Sequence, residues 1–143
     1  MIRLPLIAGV AVLLGATALV AAGEYDVVRP VTHAATKAEC GACHMAFQPA
    51  LLPAASWNRV MDGLSDHFGE NASLPADVAA DIRAYLVQNA GRSDAVLRIS
   101  EQRWWQRKHR KVADATWQRK EVGSKANCTA CHAGAEQGVY DDD

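Results

Sequence analysis

Every cysteine of this chain lies in one of two Cys-x-x-Cys-His motifs, and that feature limits what the chain can fold around. The motifs are Cys40-Gly41-Ala42-Cys43-His44 and Cys128-Thr129-Ala130-Cys131-His132. In this pattern the two thiols add to the two vinyl groups of a haem, and the next residue brings an imidazole to the iron. Small residues between the cysteines let the loop lie close to the porphyrin edge. Two other readings compete. A disulfide inside each Cys-x-x-Cys would make a redox motif, but no βαβ pattern surrounds either pair. Four thiolates could close on zinc. The pairs, however, are separated by far more than the roughly 15–20 residues usual in such sites, and zinc would leave His44 and His132 without a role. The expected cofactors are therefore two covalently bound haem c groups, each with its iron.

The start of the chain agrees with that chemistry. Arg3 precedes an apolar run from Leu4 to Val20, small residues follow at Val20-Ala21-Ala22-Gly23, and the sequence turns polar at Glu24. A charged beginning, an apolar middle and a small-residue exit make residues 1–22 a signal peptide cleaved after Ala22. The rival is an uncleaved anchor, because the run approaches the ~20 residues that span a bilayer; Pro5 and the small residues favour cleavage. The mature chain is then exported to the periplasm, with no stable membrane insertion. In an oxidising compartment an even cysteine count usually signals disulfides. The histidine after each pair is what redirects the reading to haem.

The mature chain reads as all-α with irregular connections, since no alternating strand pattern is visible. Thr36 and Glu39 have capping-box spacing for a short helix that runs into Cys40. Ser56 caps a helix over about 57–66, and Ser73 and Pro75 open another to about Ala90, stopped by Gly91. A long basic helix is expected from about Ser100 to Glu121, broken by Gly123 and Ser124 ahead of the second motif. Residues 23–91 thus form a small cytochrome c-like domain for the first haem. Residues 92–143 form an irregular helical segment for the second, too short to repeat the first, and the Asp141–Asp143 tail is expected to be disordered.

With His44 and His132 on one face of each haem, the opposite faces set the function. For the first haem the candidates are His67, in a loop just after a helix where Gly69 relieves the turn, and Met61. Met61 sits mid-helix among apolar neighbours and reads better as core. For the second haem His109 is the candidate. Trp105, His109, Val112 and Thr116 recur at helical spacing, although a histidine inside Arg107-Lys108-His109-Arg110 is ordinarily a surface residue. His33 is a reserve candidate that reads as solvated. If two histidines hold each iron, both haems are saturated and low-spin, which suits electron transfer and leaves no open position for a gas or substrate. The alternative is a haem enzyme or gas-binding protein with one open, five-coordinate haem.

A net charge of -1 and export exclude nucleic acid as the partner of the basic stretch Arg103, Arg107, Lys108, Arg110 and Lys111. Those residues can neutralise haem propionates or dock an acidic protein, or they form a solvated face. No paired carboxylates, nucleophile–base arrangement or phosphate loop suggests an enzyme.

Beyond the motifs themselves, Gln48-Pro49-Ala50-Leu51-Leu52-Pro53-Ala54-Ala55-Ser56-Trp57 and His67-Phe68-Gly69-Glu70-Asn71-Ala72-Ser73-Leu74 closely resemble the bacterial dihaem cytochrome c family known as DHC. Trp104-Trp105, His109 and the run from Val122 to His132 extend the likeness over nearly the whole mature chain. The resemblance implies periplasmic electron transfer, a two-part fold and two bis-histidine haems, with His67 and His109 as the distal ligands. It also implies redox-protein partners: a high-spin, oxygen-binding monohaem cytochrome c and a membrane cytochrome b of the b561 type.

Overall fold

The computed structural model describes residues 26–140. The expected signal segment 1–22 and the Asp141–Asp143 tail lie outside the described residues. The described residues form five short α-helices, α1 (Ala34–Cys40), α2 (Ala54–Asp62), α3 (Ala76–Gln88), α4 (Arg103–Lys108) and α5 (Asp114–Trp117), with single 3-10 turns between α1 and α2, α2 and α3, and α3 and α4, and two more after α5. Strand pairing among the described residues is confined to isolated bridges, so the all-α expectation holds. No described helix is long and apolar enough to cross a membrane.

Packing of α2 against α3 makes the core. Trp57 and Met61 from α2 meet Ile82 and Leu86 from α3, with Leu52 closing the cluster. The α3 pair recurs four residues apart, which places both side chains on one face. Met61, read as core from its apolar neighbours, is 6 % exposed inside this cluster. The Trp57 indole N–H donates to the Pro49 carbonyl at 2.8 Å, which anchors the proline-punctuated loop to the core and satisfies a polar atom that burial would otherwise penalise. Arg83 clips α3 to α2, donating to the Asn58 carbonyl at 3.1 Å and to the Asp62 carboxylate at 2.7 Å. Gly91 lies so close to the Leu51 side of that loop that a Cβ there would come 1.9 Å from the Ala50 carbonyl oxygen. Its amide donates to the Leu52 carbonyl at 2.9 Å.

Several boundaries differ from the sequence expectation. Helix α1 starts at Ala34, ahead of the supposed capping box, and Thr36 is buried within it. Helix α2 starts directly after Pro53, whose fixed φ suits a helix entrance, and this puts Ser56 inside the helix as a buried residue. The long basic helix does not form. Helix α4 ends at Lys108, Ala113 is extended (φ -65, ψ 145), and α5 is a separate short turn. Like charges at Arg103, Arg107 and Lys111 stand four apart and disfavour one continuous helix. His33 is also not a solvated residue. It stacks on Tyr85 with centroids 4.8 Å apart, hydrogen-bonds Thr36 through Nδ1 at 3.0 Å and faces Asp81 at 3.2 Å. These contacts commit it to fastening α1 onto α3.

The two ends of the described segment meet. The Val28 amide donates to the Gly138 carbonyl and the Tyr140 amide to the Asp26 carbonyl, each at 2.8 Å. Gly138 permits this approach: its φ is +80, and a Cβ would stand 2.1 Å from the Val28 carbonyl oxygen. Beneath this seam Gln48 is completely buried. Its amide donates to the Ala135 carbonyl at 2.7 Å, and its oxygen accepts the Tyr140 hydroxyl at 2.5 Å. One side chain from the loop after the first motif therefore holds the segment after the second. Replacing Gln48 with Leu strands the Tyr140 hydroxyl and leaves the Ala135 carbonyl with the Gly138 amide alone, and should lower stability by about 1–3 kcal/mol. Adding Tyr140→Phe removes one orphan and should return part of the loss. Denaturant midpoints of the haem-loaded variants check this; an unchanged midpoint for Gln48→Leu would mean that the seam contributes nothing.

Candidate functional site

The first motif begins on the last residue of α1. Gly41 follows Cys40 and donates its amide to the Lys37 carbonyl at 3.1 Å; a Cβ on it would come 2.3 Å from that same oxygen. A residue without a side chain is therefore needed where the chain turns from helix into motif. Burial raises the Cys40 thiol above its usual range, and Glu39 adds to this, whereas Cys43 is exposed. The His44 ring packs on Phe47 at 4.9 Å. Its Nδ1–H donates to the Met45 carbonyl at 2.8 Å, and a ring with its proton fixed on Nδ1 has the Nε2 lone pair free for a metal.

His67 comes to His44 from a tight turn. Its amide donates to the Glu70 carbonyl at 2.7 Å, and the two central residues, Phe68 (φ 59) and Gly69 (φ 103), both have positive φ. This is the primed type of hairpin turn, whose twist matches paired strands. Gly69 adopts it freely, while Phe68 carries a strain of roughly 1–2 kcal/mol. The Gly69 amide donates to Asp66 Oδ1 at 3.1 Å, and the Arg98 guanidinium sits 4.1 Å above the Phe68 ring. Desolvation, with smaller contributions from His44 and Arg98, holds the His67 pKa below the usual histidine value, so the ring favours the neutral form that metal binding requires. The His44 and His67 ring centres are 6.2 Å apart, with planes inclined by 23°.

The second motif is built from turns. Val122 is buried, Gly123 has φ +69, and the Asn127 side-chain amide donates to the Val122 carbonyl at 3.0 Å. Cys128–Ala130 then form a single 3-10 turn, closed by the His132 amide on the Cys128 carbonyl at 2.9 Å. Burial pushes the Cys128 thiol up to about 11; Cys131 is exposed. The His132 ring lies 5.6 Å from that of Tyr140. Its Nδ1 is buried without a hydrogen-bond partner among the described residues.

His109 is presented by α4, and α4 is itself positioned by Asp94. The Asp94 carboxylate accepts the Arg103 amide at 3.1 Å and its guanidinium at 2.6 Å, and these bonds hold the carboxyl below its ordinary range. Gln102, fully buried, pairs with the Asp94 backbone in both directions at 2.9 and 2.8 Å. One turn on, the Trp105 carbonyl accepts His109 Nδ1–H at 2.9 Å. The rings of His109 and His132 stand 6.1 Å apart with planes at 89°.

Both separations suit a metal atom between the rings. An imidazole nitrogen sits about 2 Å from a first-row metal and the ring centre roughly 1 Å further, so two imidazoles facing across one metal have centres about 6 Å apart. The residues present thus fit two irons. No cluster of three or more His, Cys, Asp or Glu able to hold a metal occurs among the described residues, so the four cysteines do not converge on a zinc-type site. Met61 and His33, the other candidates, are engaged in the core and on Tyr85.

Sequence reasoning missed Gln48, Tyr140, Asp94 and Trp117, which support the rings from positions distant in sequence. Of these only Trp117 offered a local signal, a tryptophan shortly after Trp105 and His109.

A family model described as dihaem cytochrome c matches residues 36–140. Among solved structures, the crystal structure of DHC purified from Rhodobacter sphaeroides is 47 % identical, covering 77 % of this chain and 98 % of its own, with a TM-score of 0.72. A further structure titled diheme cytochrome c from the same organism is 43 % identical, covering 78 % and 99 %, also at 0.72. The diheme cytochrome of Shewanella baltica OS155 is 43 % identical, covering 76 % and 86 %, at 0.70. No curated protein matches this chain. The chain therefore belongs to the dihaem cytochrome c family, as a haem c electron-transfer protein with two covalently bound haems.

Proposed function

We propose that this protein is an exported, periplasmic electron carrier whose two haems are both low-spin and held by two histidines each. The first haem is bound through Cys40 and Cys43, with His44 and His67 on its iron. The second is bound through Cys128 and Cys131, with His132 and His109. The observation that carries this reading is that two imidazole pairs, built by unrelated local structures, have nearly the same separation, 6.2 and 6.1 Å. Residues 23–91 and 92–143 are on this reading two haem-holding parts, joined through Gln48 and the backbone seam between residues 26–28 and 138–140.

When bound, haem iron supplies a one-electron redox centre. The protein's work is to hold four imidazoles still. His44 and His109 are aimed by their Nδ1–H bonds to backbone carbonyls, which fix ring orientation and raise ligand basicity. His67 is desolvated, which disfavours its charged form, and Tyr140 braces His132. A saturated iron with fixed ligands changes charge with little movement, and nitrogen on both faces favours a lower potential than a Met/His pair. The signal-like residues 1–22 and the c-type attachment motifs support export. Partners are other redox proteins; the family resemblance extends this to a high-spin monohaem cytochrome c and a membrane cytochrome b.

Spectra of the haem-matured protein, oxidised and reduced and with CO, test the proposal. Two low-spin c-type haems indifferent to CO are expected, and a CO-shifted Soret band would instead favour the gas-binding or catalytic reading. His67→Ala and His109→Ala should each open one haem to CO, leaving the other unaffected. Either variant remaining wholly low-spin, with no substitute ligand, rules out that histidine. Met61→Leu should leave both haems low-spin and cost less than about 1.5 kcal/mol as a volume-conserving core exchange. An altered spin state in that variant would put Met61 on an iron.

A further inference from the structure

The two imidazole pairs differ in one respect that their common separation conceals. The planes of His44 and His67 are inclined by 23°, whereas those of His109 and His132 are crossed at 89°. In low-spin ferric iron each imidazole acts on the metal d orbital lying perpendicular to its own ring. Two near-parallel rings act on the same orbital and split the pair strongly. Two crossed rings act on both orbitals alike and leave them nearly degenerate. Ring orientation therefore sets the electronic structure of the iron, and something must hold each ring against rotation about its bond to the metal.

For His109 the restraint is an aromatic stack. The Trp105 indole lies against its imidazole with centroids 4.0 Å apart and planes within 15°. Trp105 is 6 % exposed. Trp117 closes the other side of this cluster, 5.5 Å from Trp105 and 5.9 Å from His109. Lys125 Nζ caps both indoles at 5.8 and 5.7 Å, within the range of a cation–π contact. An imidazole stacked on a buried indole cannot turn about the iron without breaking that stack. The other pair is held more loosely among the described ring contacts: His44 stacks on Phe47 at 4.9 Å and 27°, and His67 meets Phe68 edge-on at 4.9 Å and 62°.

We infer that Trp105 is a positioning residue for the second haem, its indole locking His109 crosswise to His132 so that the two haems are electronically distinct. This rests on the bis-histidine reading above. The Trp105 carbonyl that accepts His109 Nδ1–H belongs to the backbone and survives any substitution, so changing the side chain isolates the stack. Trp105→Phe keeps an aromatic face against the ring; Trp105→Leu removes it.

The test is low-temperature electron paramagnetic resonance of the oxidised, haem-loaded protein. The wild type is expected to give one rhombic low-spin signal from the near-parallel pair. It should also give one strongly anisotropic signal, seen as a single low-field feature, from the crossed pair. In Trp105→Leu the low-field feature should move toward the rhombic signal and broaden, or give way to a high-spin signal if His109 leaves the iron. The rhombic signal should stay as it was, and Trp105→Phe should keep the wild-type spectrum. The unchanged rhombic signal and the phenylalanine variant separate release of the ring from general unfolding. A low-field feature unchanged in Trp105→Leu overturns the role of the indole. Two alike rhombic signals in the wild type overturn the crossed arrangement while leaving two histidines on each iron. A high-spin, CO-binding haem in the wild type would instead remove the bis-histidine reading itself.

Discussion

An imidazole serves as an iron ligand only if its ring is aimed and its lone pair is free, and on the proposed bis-histidine reading much of this small structure meets that requirement four times. Each histidine is fixed by a different device. His44 is tied back by its own neighbour's carbonyl and packed on Phe47. His67 hangs on a hairpin turn. His109 is stacked and hydrogen-bonded within one helical turn. His132 follows a 3-10 turn and faces Tyr140. A chain this short buries a limited core of its own, and the largest cluster here centres on five buried side chains. Rings fixed by local contacts do not depend on a large core, which is why so many short turns and close glycine approaches occur around the motifs.

The segments around the two motifs are nevertheless not independent. Gln48, four residues past His44, is buried against Ala135 and Tyr140, and Tyr140 in turn braces His132. Asp26, at the start of the described chain, accepts both the Tyr140 amide and the Lys108 ammonium, at 2.8 and 2.6 Å. Lys108 precedes His109, so Asp26 touches the second site from both sides. The Gln48–Tyr140 bond carries most weight in this arrangement, because it is shielded from water; the Lys108–Asp26 pair, at 30 % and 54 % side-chain exposure, is worth less than its short distance suggests.

What could be read from the sequence follows from how local each signal is. The residues of each Cys-x-x-Cys-His motif are contiguous and their spacing carries their chemistry, so Cys40, Cys43, Cys128 and Cys131 could be proposed as attachment points without any structure. The placement of Met61 in the core followed from its apolar neighbours. His67 and Gly69 were legible as a turn, but the positive φ at Phe68 was not, because an aromatic residue gives no cue for that conformation. The continuous basic helix was misread because residues 103–117 do have helical spacing; the break near Ala113 serves contacts between Trp105, His109 and Trp117 that no periodicity reports. His33 looked solvated because its partners, Tyr85 and Asp81, are far away in the chain. Gln48 looked like a loop residue for the same reason.

His67 and His109, the proposed distal ligands, also show how strain and restraint are distributed. His67 is carried next to Phe68, a residue in a conformation costing roughly 1–2 kcal/mol, on a turn that is largely exposed. Its supports are the Asp66 carboxylate on the Gly69 amide, the Arg98 guanidinium over Phe68, and the backbone bridge to Glu70. His109 has a buried indole against its face and a helix whose first amide is capped by Asp94. A turn holding strain at the surface has neighbouring conformations close in energy, whereas a ring clamped in a buried stack does not. The first site is therefore the softer of the two, and the second is the one whose ligand orientation the fold specifies most tightly.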